Sequence, residues 1–222
     1  MALAITTHWQ APNRSARPAP KECTLLAQAE PGADAAGGVV ATLALPHGPA
    51  LTVRTVTDSD VEGLDAVFQG LSDDDRHHRF FSLRHPARKF LEQMTRAEDE
   101  GGYRLVAVVS GAGDELVAEA GYAILPDGDG EFALTVAPGW RGWRLGRYLL
   151  GAIVAAAAAR GVPNLQADIM LSNARMLALV RDRGYITLHR DEFSDIRIAI
   201  DAAQPARRRQ RAGTLASCAS TA

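Results

Sequence analysis

The stretch 136-VAPGWRGWRLGRYLL-150 decides the fold. It begins as the end of an apolar strand, FALTV, and breaks at Pro138-Gly139. Two glycines and three arginines follow, and the chain then turns helical. A strand, a glycine-bearing loop and a helix start make an anion site. The first helical turn has N–H groups without intrahelical partners, and the helix dipole favours negative charge there. No Gly-Lys-Ser/Thr follows the loop, so an ordinary P-loop is disfavoured.

Upstream of this stretch, Leu51 to Val56 alternates as a strand. Thr57-Asp58-Ser59-Asp60 offers caps for a helix with Val61, Leu64, Val67 and Phe68 on its apolar side and Gly70 at its end. A short helix starts at Leu71–Arg76 with Ser72 as cap, and helix resumes after Pro86 with Phe90, Leu91 and Met94 inward. Tyr103–Ser110, Leu116–Leu125 and Glu131–Val136 form an antiparallel meander separated by glycine turns. Downstream, 144–160 has helical spacing and stops at Gly161-Val-Pro163. Asn164–Met170 is a strand, and Ser172-Asn173 caps a helix ending at Gly184. Tyr185–His189 and Ile196–Ile200 close the pattern as a hairpin. Antiparallel runs with interspersed helices specify an α+β domain over 50–203.

Residues 1–49 are rich in Ala, Pro and Gly and read as a flexible arm, with one short strand expected at Val39–Leu45. Residues 204–222 read as a disordered tail with a basic run, Arg207 to Arg211. A net charge of -2 gives no electrostatic argument for nucleic acid or an anionic membrane. Two cysteines, Cys23 and Cys218, support neither a disulfide framework nor a thiolate metal site. No apolar run reaches the roughly 18 residues of a membrane span, and the first residues lack a signal peptide's apolar core. The expected location is the cytoplasm.

Three features together resemble the GNAT superfamily of acetyl-coenzyme A-dependent N-acyltransferases. EFALTVAPGWRGWRLGRYLL is similar to the family's strand-loop-helix, whose pattern is Arg or Gln, two residues, Gly, one residue, Gly or Ala. LSNARMLALVRDRGY is similar to its segment after the fifth strand, and the element order is the family's. LSDDDRHHRFFS, VAEAGYAI and EFALTV are closest to bacterial protein-lysine acetyltransferases.

The resemblance implies a mixed, mostly antiparallel sheet of about seven strands with helices on both faces. It implies acetyl-coenzyme A as co-substrate, no metal, and an amine acceptor that is a protein lysine or a small molecule. The pyrophosphate would lie on Arg141, Gly142, Trp143, Arg144, Leu145, Gly146 and Arg147. Leu134, Thr135 and Val136 would offer N–H groups to the thioester oxygen, and Asn173 would hold the pantetheine arm. Glu131 would be the general base, with Glu119 as its rival. An acceptor ammonium, with a pKa of about 10.4 for lysine, must lose a proton before it can attack.

Arg144 stands where the pattern has its middle Gly. With a negative φ it could pair with a phosphate through its side chain; otherwise it could obstruct the loop. Val180 stands where many members carry a tyrosine acid. Arg76 to Arg84 would lie beside the acceptor groove, and the histidines His77, His78 and His85 lack carboxylate or cysteine companions at metal-ligand spacing. A member of the fold that senses acyl-coenzyme A or binds a partner without turnover is the alternative.

Overall fold

The computed structural model describes residues 26–29, 37–45, 48–111, 115–183, 187–190 and 195–202. The expected basic tail, Gly184, Tyr185 and most of the N-terminal arm lie outside these residues.

The strands are β1 Leu26–Ala29, β2 Val39–Ala44, β3 Leu51–Thr55, β4 Tyr103–Val109, β5 Leu116–Ile124, β6 Gly130–Val136, β7 Asn164–Met170, β8 Thr187–Arg190 and β9 Asp195–Asp201. The helices are α1 Val61–Gln69, α2 Asp73–Phe80, α3 Arg88–Thr95, α4 Leu145–Ala159 and α5 Ala174–Arg183. All nine strands form one sheet in the order β1-β2-β3-β4-β5-β6-β7-β9-β8. Every neighbouring pair is antiparallel except β6 with β7. The seven strands from β3 onward are those expected, and the architecture is the expected α+β sheet with helices on both faces. Before them, the expected strand at 39–45 is present as β2, and β1 extends the sheet further.

Local sequence explains the helix limits. Ser72 Oγ accepts from the Asp75 amide at 3.1 Å, and three aspartates sit at the positive end of α2. Phe81 then takes a left-handed φ of 52°, and Pro86 precedes α3, so α2 and α3 are separate helices. The core has two parts. Leu105, Ala107, Ala120, Tyr122, Phe132 and Leu165 pack under α4 on one face. Val106, Val108 and Leu116 meet Leu64, Phe68, Leu91 and Met94 of α1 and α3 on the other. Period-two alternation therefore divides β4 between the two cores.

Candidate active site

The parallel pair β6–β7 holds for two residue pairs only, Gly130 with Leu165 and Glu131 with Gln166. The strands then part, so β6 has no strand beside residues 132–136 on that side. A cleft of about 1460 Å³ opens along this gap. Its size exceeds the roughly 300–1,000 Å³ of common small-ligand pockets.

The loop 137–144 ends one arm of the cleft. Trp140, Trp143 and Leu145 are buried in the core beneath α4 and anchor the loop. The side chains of Trp143 and Leu145 are thus committed to packing, and only their amides remain for a ligand. The first helical bond of α4 runs from the Tyr148 amide to the Arg144 carbonyl, at 3.0 Å. Among the described residues, the amides of 142–146 have no acceptor. Gly142 and Arg144 have φ of 88° and 63°. Alternating positive φ turns successive N–H groups toward one concave side, which is an anion nest. A Cβ on Gly146 would stand 3.5 Å from Leu134, 3.6 Å from Val136 and 3.7 Å from Leu179, at ordinary contact distance.

Of the two possibilities left open for Arg144, the negative φ is not the one realised. Arg144 adopts the left-handed conformation that the pattern's glycine would adopt, at about 1–2 kcal/mol of backbone strain. Its side chain is exposed, lines the cleft and has no partner among the described residues. It therefore borders the nest without filling it. Arg141 is held differently. Its Nε donates to the Val136 carbonyl at 3.0 Å and its Nη1 to Asp75 at 3.0 Å. Arg141 thereby ties the loop to α2, and Arg147 lines the cleft beyond it.

Asp75 also accepts from Arg175 of α5 at 3.2 Å. Burial raises its pKa, but hydrogen bonds from Ser72 and Arg141, with the charges of Arg141 and Arg175, outweigh this and hold it low. His78 Nε2 lies 2.9 Å from Ser172 Oγ, so α2 touches the segments following both parted strands. Asp75 and His78 thus join α2 to the segments that follow β6 and β7, while Arg79 reaches Glu119 of β5. No group of three or more His, Cys, Asp or Glu suited to a metal occurs among the described residues.

The two candidate bases differ sharply. Glu119 on β5 is fully buried. Its Oε1 accepts from Arg79 Nε and Nη2 at 3.1 Å each and from Thr135 Oγ1 at 2.8 Å. Its Oε2 accepts from Arg104 Nη1. Burial raises the Glu119 pKa, but the Arg79 and Arg104 charges outweigh it, so the carboxyl is held below the usual range. Glu119 is a fixed counter-ion and a poor proton acceptor. Glu131 is exposed at the cleft wall, on the same face as Ala133 and Thr135.

Asn173 caps α5: its Oδ1 accepts from the Met176 amide at 3.1 Å, and it also lines the cleft. Val180 is fully buried, so this position places no side chain in the cleft. Leu134, Thr135 and Val136 all line the cleft on the free stretch of β6. The reading from sequence missed Asp75 and Arg104. Their strands and helix were legible, but isolated charges carry no signal of which partner the fold brings to them.

The comparisons agree with this geometry. The GNAT domain of S. lividans PAT superposes with a TM-score of 0.64 at 26% identity, covering 72% of this chain and 95% of that one. YncA, a putative acetyltransferase from Salmonella typhimurium solved with its cofactor acetyl-CoA, gives 0.57 at 18% identity, covering 70% and 96%. The ribosomal-protein-alanine N-acetyltransferase from Brucella melitensis gives 0.55 at 24% identity, covering 66% and 96%. A search of curated proteins gives no match. No helix among the described residues is long and apolar enough to cross a membrane. The family model of the acetyltransferase (GNAT) family matches residues 65–185, more than half of the sequence, and the chain belongs to that family.

Proposed function

We propose that this protein transfers an acetyl group from acetyl-coenzyme A directly to an amine, in the cytoplasm and without a metal. The observation that carries the reading is the nest of free amides at 142–146, opening onto a cleft along the unpaired edge of β6. These amides, with Arg144 and Arg147 beside them, would hold the pyrophosphate, and Asn173 would receive the pantetheine arm. When bound, the coenzyme supplies an acyl group activated as a thioester.

The chain's own groups do the rest. The amides of Leu134 and Val136 point to the side of β6 where the sheet has no further strand and would donate to the carbonyl oxygen as it gains charge, while the Thr135 amide faces β5. Glu131 stands about 10 Å along β6 from Leu134, so it would take the ammonium proton through water. The amine nitrogen then bonds to the carbonyl carbon as the carbon–sulfur bond breaks. Val180 offers no acid, so the thiol would be protonated from solvent. A protein lysine, to which the sequence resemblance points, and a small-molecule amine both present this nucleophile. The cleft stays open down to the nest, which speaks against a sensor or partner-binding module with a plugged groove.

The test is calorimetric titration with acetyl-coenzyme A, beside Gly146→Glu. A Cβ fits at Gly146 at ordinary contact distance, so the added carboxylate would repel phosphate without breaking the fold. Binding lost in the variant supports the reading, and Glu131→Gln should then lower kcat by about 10²–10⁴. No binding by the wild type at millimolar ligand would overturn it.

A further inference from the structure

The acceptor side of the cleft holds a charge that plain amine transfer does not use. Arg79 of α2 and Arg104 of β4 share one carboxylate, Glu119, with side-chain exposures of 13%, 9% and 0%. Two guanidiniums against one carboxylate leave an excess of one positive charge. Glu119 is saturated by four donors. Arg79 Nη1 and Arg104 Nη2 find no acceptor among the described residues, and neither does the fully buried Arg104 Nε. Both arginines line the cleft.

The surroundings are shaped for a ligand at this point. Arg104 is in register with Gly121, and Gly121 with Ala133. A Cβ at Gly121 would stand 2.9 Å from the Arg104 Cα and 3.0 Å from its Cβ, so only glycine leaves room for the Arg104 stem. Ala123 and Ala133 continue a floor of small residues, while Phe80, Phe90 and Met94 supply an apolar wall. The row containing Arg104 is about 3 Å along β6 from Leu134, whose amide would receive the carbonyl oxygen. An α-amino acid separates its nitrogen from its carboxylate by a comparable distance.

We propose that the acceptor is a free amino acid with an apolar side chain, its carboxylate held by Arg79 Nη1 and Arg104 Nη2. This rests on the acetyl-transfer reading above. The α-amine would face the free edge of β6, and the side chain would lie on Phe80, Phe90 and Met94. Arg79 Nη1 and Arg104 Nη2 reach the cleft without an acceptor among the described residues, and a bound carboxylate would pair with them and neutralise the excess charge. A protein lysine would bring a cation to the same place with no anion to match it, and would be disfavoured.

The experiment compares phenylalanine with phenylalaninamide and phenethylamine, and methionine with methioninamide, using the full chain saturated with acetyl-coenzyme A. A lysine peptide is the protein-acceptor control. The carboxamide's amine is the less protonated, so intrinsic reactivity runs against the proposal. We expect kcat/KM for the acids to exceed that of the amides by at least about tenfold. Arg104→Met should abolish this preference while coenzyme affinity, read by titration, is unchanged. Should that variant not fold, the wild-type ligand series decides by itself. Equal or reversed preference, or use of the lysine peptide instead, would overturn the proposal and leave acetyl transfer standing. So would coenzyme binding with no amino acid bound or acetylated at 10 mM (about the weakest binding of interest). Absence of coenzyme binding would remove the acetyl-transfer reading and the proposal together.

Discussion

Replacing Arg144 with glycine separates two effects that the side chain combines. The residue has a left-handed φ of 63° at the N-terminus of α4, and its side chain is exposed with no partner among the described residues. Glycine releases about 1–2 kcal/mol of backbone strain but adds about 0.4–1 kcal/mol of unfolded-state entropy. The net is a stabilisation of about 0–1.6 kcal/mol, or at most about 6 °C in Tm for a chain of this size. Coenzyme affinity should move the other way. Losing a charge-assisted hydrogen bond to phosphate costs about 1.5–3 kcal/mol, roughly a 10- to 150-fold weaker Kd. Arg144→Ala keeps the strain and loses the cation, so it should lose affinity without gaining stability. Thermal melts of the three proteins and calorimetry with acetyl-coenzyme A provide both readouts. A glycine variant that melts lower refutes the strain argument. One that binds more tightly shows that the side chain obstructs the loop.

Other consequences follow from the same structure. Gly121→Val would drive a side chain into the Tyr103 carbonyl and the Arg104 backbone, and should destabilise the fold by more than about 3 kcal/mol in urea titration. Asp60, Asp75, Glu119 and Asp168 all have lowered pKa values; burial raises the first three, and their arginine and hydroxyl partners outweigh it, while the Arg197 hydrogen bond leads at Asp168. Folded pKa values below unfolded ones add stability that is present above about pH 4 and lost as pH falls through the folded values. The urea midpoint should therefore be flat near neutrality and fall below about pH 4. Glu119→Gln leaves two buried guanidiniums without their counter-ion and should cost about 3–5 kcal/mol at pH 7 in the same titration. Removing residues 1–49 deletes β2, whose Ala41 and Leu43 are fully buried, and bares the β3 edge. A chain starting at residue 50 should be less stable than one starting at residue 37 by at least about 2 kcal/mol and should aggregate more readily, which light scattering would detect.

The sequence by itself determined the elements and their order from β3 onward, because periodicity, caps and glycine stops are local signals. Ser72, Asn173 and Gly161 mark their helix ends whatever the rest of the chain does. It also located the loop before α4, since a strand, a glycine turn and an apolar helix are contiguous. Only the tertiary structure decided which charges meet. Glu119 and Glu131 look equivalent as strand carboxylates, yet Arg79, 40 residues away, turns the first into a fixed counter-ion and leaves the second exposed. The splay of β6 from β7 is likewise invisible in either strand, because it lies in a pairing that stops after two residues. Arg144 is the instructive case. Its residue type left the backbone conformation open, and the buried Trp143 and Leu145 on either side fix the path of the backbone between them. Packing of two large apolar side chains outweighs a local strain of about 1–2 kcal/mol, and an exposed arginine is carried into a conformation that sequence alone would assign to glycine.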